Sequence, residues 1–453
     1  MNSNESAFFD KVTEMEPLLP RESAALQDKA AIVWRGSAEL KGILPERTRD
    51  AVAQVVMSMN GYYSNLIEGH NTRPIEIEAA LKKQFSGGSE ERQRQMLHSA
   101  HMDALQEAER GLTPNTNICS KEYLCNLHYS FFKNLPEEFL TVTDNKGTYK
   151  IIPGELRENE VAVGKHIPPR HDYVDRFLQR FDDTYSKMVA DKPGSLIAAS
   201  AAHHRLAWIH PFSDGNGRVT RMFTHLWLMK AGAGGDGLWT LSRGLARNVH
   251  SYKGLLDNAD NKRRHDTDGR VYLSQAALGE FCDFMLDCAN DQIDYMKDML
   301  DLPLLTKRIR GYCKVKEQSE DLPKRSSLIL PEIALKGEIA RGEVARIIDA
   351  SPRTAQAVTG DLLQRGYLKS DSPKGNLYIG FPSEACAYFF PQLFPTGITD
   401  HTPQLGGGGL SIRRAISSDK KDAEMEDSPS LEGPSGNQLS TQQASDMGKG
   451  GFA

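Results

Sequence analysis

Twelve residues, 210–221, read H-P-F-S-D-G-N-G-R-V-T-R and bring together a base (His210), a carboxylate (Asp214), a Gly-Asn-Gly turn (Gly215, Asn216, Gly217) and two guanidinium groups (Arg218, Arg221). After the second glycine, Val219, Met222, Phe223, Leu226 and Trp227 recur with helical period, so the turn opens a helix. The first N–H groups of a helix have no intrahelical acceptor and sit at its positive end, which favours an anion. Arg218 and Arg221 are three apart and share the face above that turn. A nucleoside triphosphate suits such a site. The Gly-Asn-Gly nest would hold the α- and β-phosphates. Asp214 would carry a Mg²⁺ bridging them. The arginines would neutralise the β- and γ-phosphates and favour departure of pyrophosphate. His210, across the turn, would take the proton of an attacking hydroxyl, at a pKa suited to neutral pH. Pro211 would stiffen the backbone and Phe212 would anchor the loop in the core. This is nucleotidyl transfer and not P-loop chemistry, because the chain has no G-x-x-x-x-G-K-[ST].

The elements that must position this stretch are mostly helical. Helical periodicity is predicted over 24–34, 46–67, 75–84, 89–107, 120–135, 172–189, 195–208, 274–300 and 302–324. Helix 46–67 follows Pro45 and ends at S-N-L-I-E-G, with Gly69 as its C-terminal cap and Ser64 and Glu68 on one face. An acid at a helix C-terminus opposes the dipole by about 0.3–1 kcal/mol, so Glu68 calls for a cation from elsewhere. His128 falls among Leu124, Leu127, Phe131 and Phe132 and reads as a satisfied core residue. Across 140–169 glycines and prolines recur, and Gly164-Lys165 between short alternating runs predicts a β-hairpin. The stretch 241–260 holds Arg247, Asn248 and Tyr252, which can line a pocket.

Five regions are expected: a helical region 1–110, a core 111–300, a linker helix 301–325, a small unit 326–383 and a disordered tail 400–453 rich in Gly, Ser, Asp and Gln. The small unit reads as helix, helix-turn-helix and two short strands around Pro373-Lys374-Gly375, a winged-helix plan. Its second helix starts with Arg353, Thr354 and Gln356 but is only weakly basic, so DNA contact and protein packing are equal readings.

With 453 residues, 39% hydrophobic and 25% charged, the chain is an ordinary soluble protein of two or three domains. Its net charge of −5 argues against a protein devoted to nucleic acid. No apolar run is long enough for a membrane span, and the polar start 1–6 is unlike a signal peptide. Six cysteines form no C-x-x-C pair and read as buried free thiols. These features predict a cytoplasmic protein with no membrane partner.

The stretch 210–221 resembles the signature of Fic proteins, H-x-F-x-[DE]-[GA]-N-[GK]-R-x-x-R, at every defined position. Three further segments resemble family elements in the expected order. They are S-N-L-I-E-G (64–69, an inhibitory motif), G-E-L-R with V-A-V-G-K-H-I-P-P (154–169, a flap that clamps the target backbone) and R-N-V-H-S-Y (247–252, near the adenine). The resemblance implies a mainly α fold, a Fic helical bundle with a β-hairpin flap, followed here by the winged helix. It implies a protein adenylyltransferase that moves AMP from ATP to a Ser, Thr or Tyr hydroxyl of a target protein. His210 is then the base, and Asp214 the ligand of Mg²⁺ or Mn²⁺. Gly215, Asn216, Gly217, Arg218, Arg221, Asn248 and Tyr252 hold ATP, and Val161, Ala162, Val163 and Gly164 bind the target. Ser64, Glu68 and Gly69 inhibit, with Glu68 paired to Arg221. Gly217 stands where a kinase-like subgroup has Lys, which favours AMP transfer. AMP removal using Glu68 and a DNA-binding regulator with a nucleotide-sensing core are the alternatives. Homodimerisation, the nucleotide base and the target stay open.

Overall fold

A computed structural model describes residues 8–71, 88–144 and 147–393. The apolar stripes become α1 (Ala24–Lys41), α2 (Glu46–Ile67), α3 (Ser89–Arg110), α4 (Lys121–Phe132), α5 (Val174–Tyr185), α6 (Gly194–Ile209) and α7 (Asn216–Lys230). They are followed by α8 (Leu241–Arg247), α9 (Val249–Ala259), α10 (Gln275–Met299) and α11 (Leu302–Gln318). The fold is mainly α. The expected helix 75–84 and the expected disordered tail lie outside the described residues.

The middle of the bundle is α6, which is buried on nearly every face, as expected of a helix that is apolar all round. It packs on α1, α5, α7 and α10. Trp208 at its end meets Phe177 of α5 with ring centroids 5.6 Å apart. Phe212 beyond it is fully buried, which fixes the loop carrying the signature. Helix α2 closes with paired C-terminal bonds, Gly69 N–H to Leu66 O at 2.9 Å and His70 N–H to Asn65 O at 3.0 Å. Gly69 takes φ 88° there, as a glycine cap should.

The turn expected at Gly164-Lys165 forms, with Val163 and His166 exchanging N–H···O bonds at 3.0 and 2.9 Å, but the longer strand pair lies upstream. β1 (Thr141–Asp144) and β2 (Gly147–Lys150) run antiparallel with Val142 opposite Tyr149. Over 161–169 only one bridge forms, Val163 to His166. Pro168 and Pro169 have no N–H to extend a ladder, and the Pro169 carbonyl is taken by Arg157. The β-branched and aromatic residues that favour pairing are in Thr141-Val142-Thr143 and Thr148-Tyr149.

The C-terminal part comprises α12 (Ser326–Lys336), β3 (Glu338–Ile339), α13 (Val344–Ile347), α14 (Pro352–Gln364), β4 (Leu368–Lys369), β5 (Leu377–Ile379) and α15 (Ser383–Phe389). Its strands form one antiparallel sheet in the order β3-β5-β4. The first helix of the expected pair is short, a single turn of α13 after a 3₁₀ turn at Arg341–Glu343. Ser351 caps α14 through the Thr354 N–H at 3.2 Å, and Arg353, Thr354 and Gln356 are exposed. Residue 326 is not a break in packing: the described residues form one compact unit. Thr48 Oγ1 of α2 donates to Ala334 O at 2.9 Å, and Arg47 pairs with Asp371 at 2.6 Å. Tyr63, next to Ser64, donates to Leu393 O at 2.9 Å.

All six cysteines are free, and burial pushes the Cys125 thiol up to about 11 and the Cys282 thiol to about 12. Among the described residues no helix is long and apolar enough to cross a membrane.

Candidate active site

The signature forms the turn between α6 and α7. Helix α6 ends at His210, whose φ of 50° is left-handed, with its N–H on Leu206 O at 3.2 Å. Helix α7 starts after Gly215, also left-handed at φ 79°, and its first closing bond is Val219 N–H to Gly215 O at 3.0 Å. The N–H groups of Gly215 to Arg218 are therefore left without intrahelical acceptors, as an anion site requires. The Asn216 amide spans the turn from inside: its Oδ1 accepts the Phe212 N–H at 2.9 Å and its Nδ2 donates to Phe212 O at 2.8 Å. That side chain shapes the loop, and what it offers a nucleotide is the backbone beside it. Under the loop His128 stacks on Phe212, centroids 4.1 Å apart. Its Nδ1 accepts the Gly154 N–H at 2.9 Å, so the proton is on Nε2, which donates to Asp214 O at 3.3 Å. Burial lowers the His128 pKa to about 4. His128 is a core residue, and it also struts the Asp214 backbone.

A Cβ at Gly215 would lie 2.6 Å from Phe132 Cε2. Gly215→Ala is expected to destabilise by about 2–4 kcal/mol, the left-handed penalty plus overpacking. A circular dichroism melt unchanged from the parent would remove Gly215 from this role.

His210 is half-buried, and burial first, then the charges of Arg157 and His166, lower its pKa to about 3, with Glu68 opposing. The imidazole is thus neutral at physiological pH, the form a general base needs, but it is not the near-neutral group its sequence context suggests: burial makes it a weaker base in the free protein. Asp214 is exposed at the mouth of the turn. Among the described residues no cluster of three or more His, Cys, Asp or Glu side chains stands ready to cage a metal.

Arg218 and Arg221 are both buried. Arg218 Nε donates to Asn65 Oδ1 at 3.2 Å, and its guanidinium lies 5.2 Å from the Phe131 ring centroid. Arg221 Nε donates to Ser64 Oγ at 2.9 Å and Nη2 to Ser64 O at 3.0 Å. The same Nη2 donates to Glu68 Oε1 at 2.6 Å. The end of α2 therefore reaches both arginines, and Glu68 finds the cation that its place at a helix C-terminus required. Burial pushes the Glu68 carboxyl up, but Arg221 and Arg218 outweigh it and hold it below the ordinary range. Its side chain keeps 32% exposure. A Cβ at Gly217 would stand 2.3 Å from Glu68 Oε1, so the carboxylate lies against the start of α7, over the donors that would face a phosphate.

Behind Arg221 runs a second layer. Thr224 Oγ1 donates to Thr220 O at 2.9 Å, so His203 Nδ1 donates to Thr224 at 2.7 Å and His203 Nε2 accepts from the Tyr252 hydroxyl at 2.7 Å. The Tyr252 hydroxyl is also hydrogen-bonded to Arg221, and burial pushes its pKa up to about 12. Tyr252 is 3% exposed, so it backs Arg221 instead of lining an open pocket. Asn248 is half-buried between α8 and α9, its Nδ2 on Gly244 O at 2.9 Å. Ala162, Val163 and Gly164 are exposed and Val161 is half-buried, and the stretch is tied down where His166 Nε2 meets Trp208 O at 2.8 Å. Asn65, His128 and His203 carry no sequence signal for these roles; only Asn65, inside S-N-L-I-E-G, sits in a stretch already marked.

A family model described as Fic/DOC family matches residues 118–228. The protein named Protein adenylyltransferase Fic from Drosophila willistoni is 40% identical over 79 residues, which is 17% of this chain. Its counterpart from Drosophila melanogaster is also 40% identical over 79 residues. The chain spans 16% of the length of these relatives. Among solved structures, a Fic family protein from Desulfovibrio desulfuricans aligns over 79% of this chain and 96% of its own, at 16% identity and TM-score 0.47. Fic-1 from C. elegans aligns over 61% of this chain and 72% of its own, at 16% identity and TM-score 0.42.

Proposed function

From a chain that carries a Fic domain over residues 118–228, we propose a protein adenylyltransferase that is restrained by its own Glu68. A target hydroxyl attacks the α-phosphorus of ATP. The bond from that phosphorus to the bridging oxygen of the β-phosphate breaks, the hydroxyl proton passes to the His210 imidazole, and pyrophosphate leaves. The observation that carries this reading is the convergence of a neutral, half-buried His210 with a helix start of unpaired N–H groups and two buried guanidinium groups. A base on one side and fixed positive charge on the other is what separates an attacking oxygen from a leaving pyrophosphate. The names of the Drosophila relatives agree with the same chemistry.

A divalent ion fits this site as a companion of the nucleotide. Mg²⁺ or Mn²⁺ would be held by Asp214, the exposed carboxylate of the turn, together with phosphate oxygens, since such ions use one or two carboxylates plus substrate. When bound, the ion supplies positive charge to the phosphates. The protein's own share is orientation: His128 holds the Asp214 carbonyl and Asn216 holds the Phe212 peptide. Val161 to Gly164 would seat the target segment beside His210.

The test uses ATP labelled at either end. Label at the α-phosphate should stay on protein, on this chain or on lysate proteins, and label at the γ-phosphate should not. His210→Ala should lower incorporation by about 10²- to 10⁴-fold. Retention of the γ-label would make the chain a kinase, and full activity of His210→Ala would remove the base from the mechanism.

A further inference from the structure

The buried arginine ahead of the 161–164 turn has no part in the chemistry above, yet its donors converge on the site. Arg157 Nε donates to His210 O at 2.8 Å, Nη1 to Asn159 O at 3.0 Å and Nη2 to Pro169 O. Its backbone N–H donates to Pro211 O at 3.0 Å. The side chain has 0% exposure, and its nearest carboxylate oxygen is Glu160 Oε2 at 3.6 Å. One planar guanidinium therefore grips the carbonyl of the proposed base and both feet of the turn, Asn159 before it and Pro169 after it. A non-glycine residue in the left-handed region costs about 1–2 kcal/mol and persists only where its neighbours over-determine it. His210 is such a residue, and Arg157 holds its carbonyl on one side while its N–H is held by Leu206 on the other.

Resting on the AMP-transfer reading, we infer that Arg157 is a positioning residue: it sets the distance between the His210 imidazole and the 161–164 turn, and so between the base and the hydroxyl of a target segment lying along that turn. The fork geometry matters because three carbonyls are met at fixed angles, which a single ammonium does not reproduce. The groups facing His210 are Arg157, His166 and Glu68, so the charge of Arg157 also bears on the imidazole. Removing a positive neighbour favours imidazolium and moves its titration upward.

The test compares Arg157→Gln and Arg157→Lys in the Glu68→Gly chain. Misplacement by about 1 Å costs on the order of 100-fold in rate. Both variants should lose about that much in kcat for AMP transfer, with KM for ATP within about threefold of the parent, because no nucleotide contact is touched. Histidine-labelled NMR at pH 7, where the chain is folded, should show the His210 ring resonances of both variants displaced from the parent's, because the guanidinium that holds the His210 carbonyl is gone. Unchanged kcat in both variants, a KM effect without a kcat effect, or unmoved His210 resonances would overturn the inference. Should Arg157→Gln fail to fold, Arg157→Lys decides alone through its kcat; should both fail to fold, Arg157 is a structural group and the inference falls. If the Glu68→Gly parent transfers nothing, it is the AMP-transfer reading that fails, and the NMR resonances still judge Arg157.

Discussion

Glu68→Gly is expected to raise AMP incorporation from labelled ATP by about 10- to 100-fold. The estimate follows from the bond that is lost. A hydrogen bond between charged groups contributes about 1.5–3 kcal/mol, and each 1.4 kcal/mol is a factor of ten. Glu68 Oε1 takes Arg221 Nη2 at 2.6 Å and lies over Gly217, so a bound triphosphate meets a negative charge where it needs a positive one. Two separable effects should follow. Freeing Arg221 improves the hold on the phosphates, which is read as tighter ATP binding by calorimetry. Removing the carboxylate also lets the triphosphate settle with its α-phosphorus in line with the attacking hydroxyl, which is read in kcat. Ser64 keeps Arg221 in place through two bonds of its own, so the guanidinium does not swing away when Glu68 is gone. Adding His210→Ala to Glu68→Gly should return incorporation to background, because restraint and chemistry reside in different groups. No gain on Glu68→Gly would end the claim of restraint while leaving the transferase reading intact. Loss of AMP removal in the same variant would assign Glu68 a part in the reverse reaction.

Much of this site can be read in the residue order because the chemistry is local there. His210 to Arg221 is one loop and the first turns of the helix that follows it, so base, nest and arginines are fixed by covalent spacing and helical period. Glu68 is legible for a different reason: an acid ending a helix is an electrostatic anomaly, and the structure resolves it with Arg221, 153 positions along the chain. What spacing does not carry is the assignment of partners through the core. Tyr252 belongs to a stretch that suggests a pocket wall, yet tertiary packing turns it inward onto His203. His128 looks like any apolar-face histidine, and only the fold places Gly154 on one ring nitrogen and Asp214 on the other. The same limit explains why the hairpin expected at Gly164-Lys165 is only one bridge long. Alternation around Gly164 and Lys165 is real, but two prolines end the run, and Arg157 takes the Asn159 and Pro169 carbonyls at its feet. The unit expected from 326 rests on a local helix and strand pattern, which does not report that Thr48 and Tyr63 of α2 bond to residues of the last hundred described positions.

Acid should unfold this protein near pH 5, and the cause is five histidines. Burial is the leading cause in each: it lowers His98 and His128 to about 4 and His210 to about 3, and holds His101 and His203 well below the ordinary value of 6.5. None of the five forms a close ion pair with a carboxylate among the described residues, and both ring nitrogens of His101 lack a hydrogen-bond partner. The sign follows from proton counts. Between pH 6.5 and 4 the unfolded chain binds protons at these rings and the folded chain does not, so stability is whole above 6.5 and is lost as pH falls. Counting only the three rings lowered to about 3–4, the slope approaches about 4 kcal/mol per pH unit, and about 6 kcal/mol is gone by pH 5. That is comparable to the whole stability of a typical domain, about 5–15 kcal/mol. Carboxylates with lowered pKa, Glu68 among them, add the same sign at more acidic pH. Urea melts at half-unit steps from pH 8 to 5 read the slope directly. His101→Leu, which fills a similar volume without ring nitrogens, should flatten it and leave the melt at pH 8 close to the parent. Midpoints that stay level between pH 7 and 5 would show that these rings accept protons inside the folded protein, and with that the neutral His210 on which general-base chemistry depends would need another explanation.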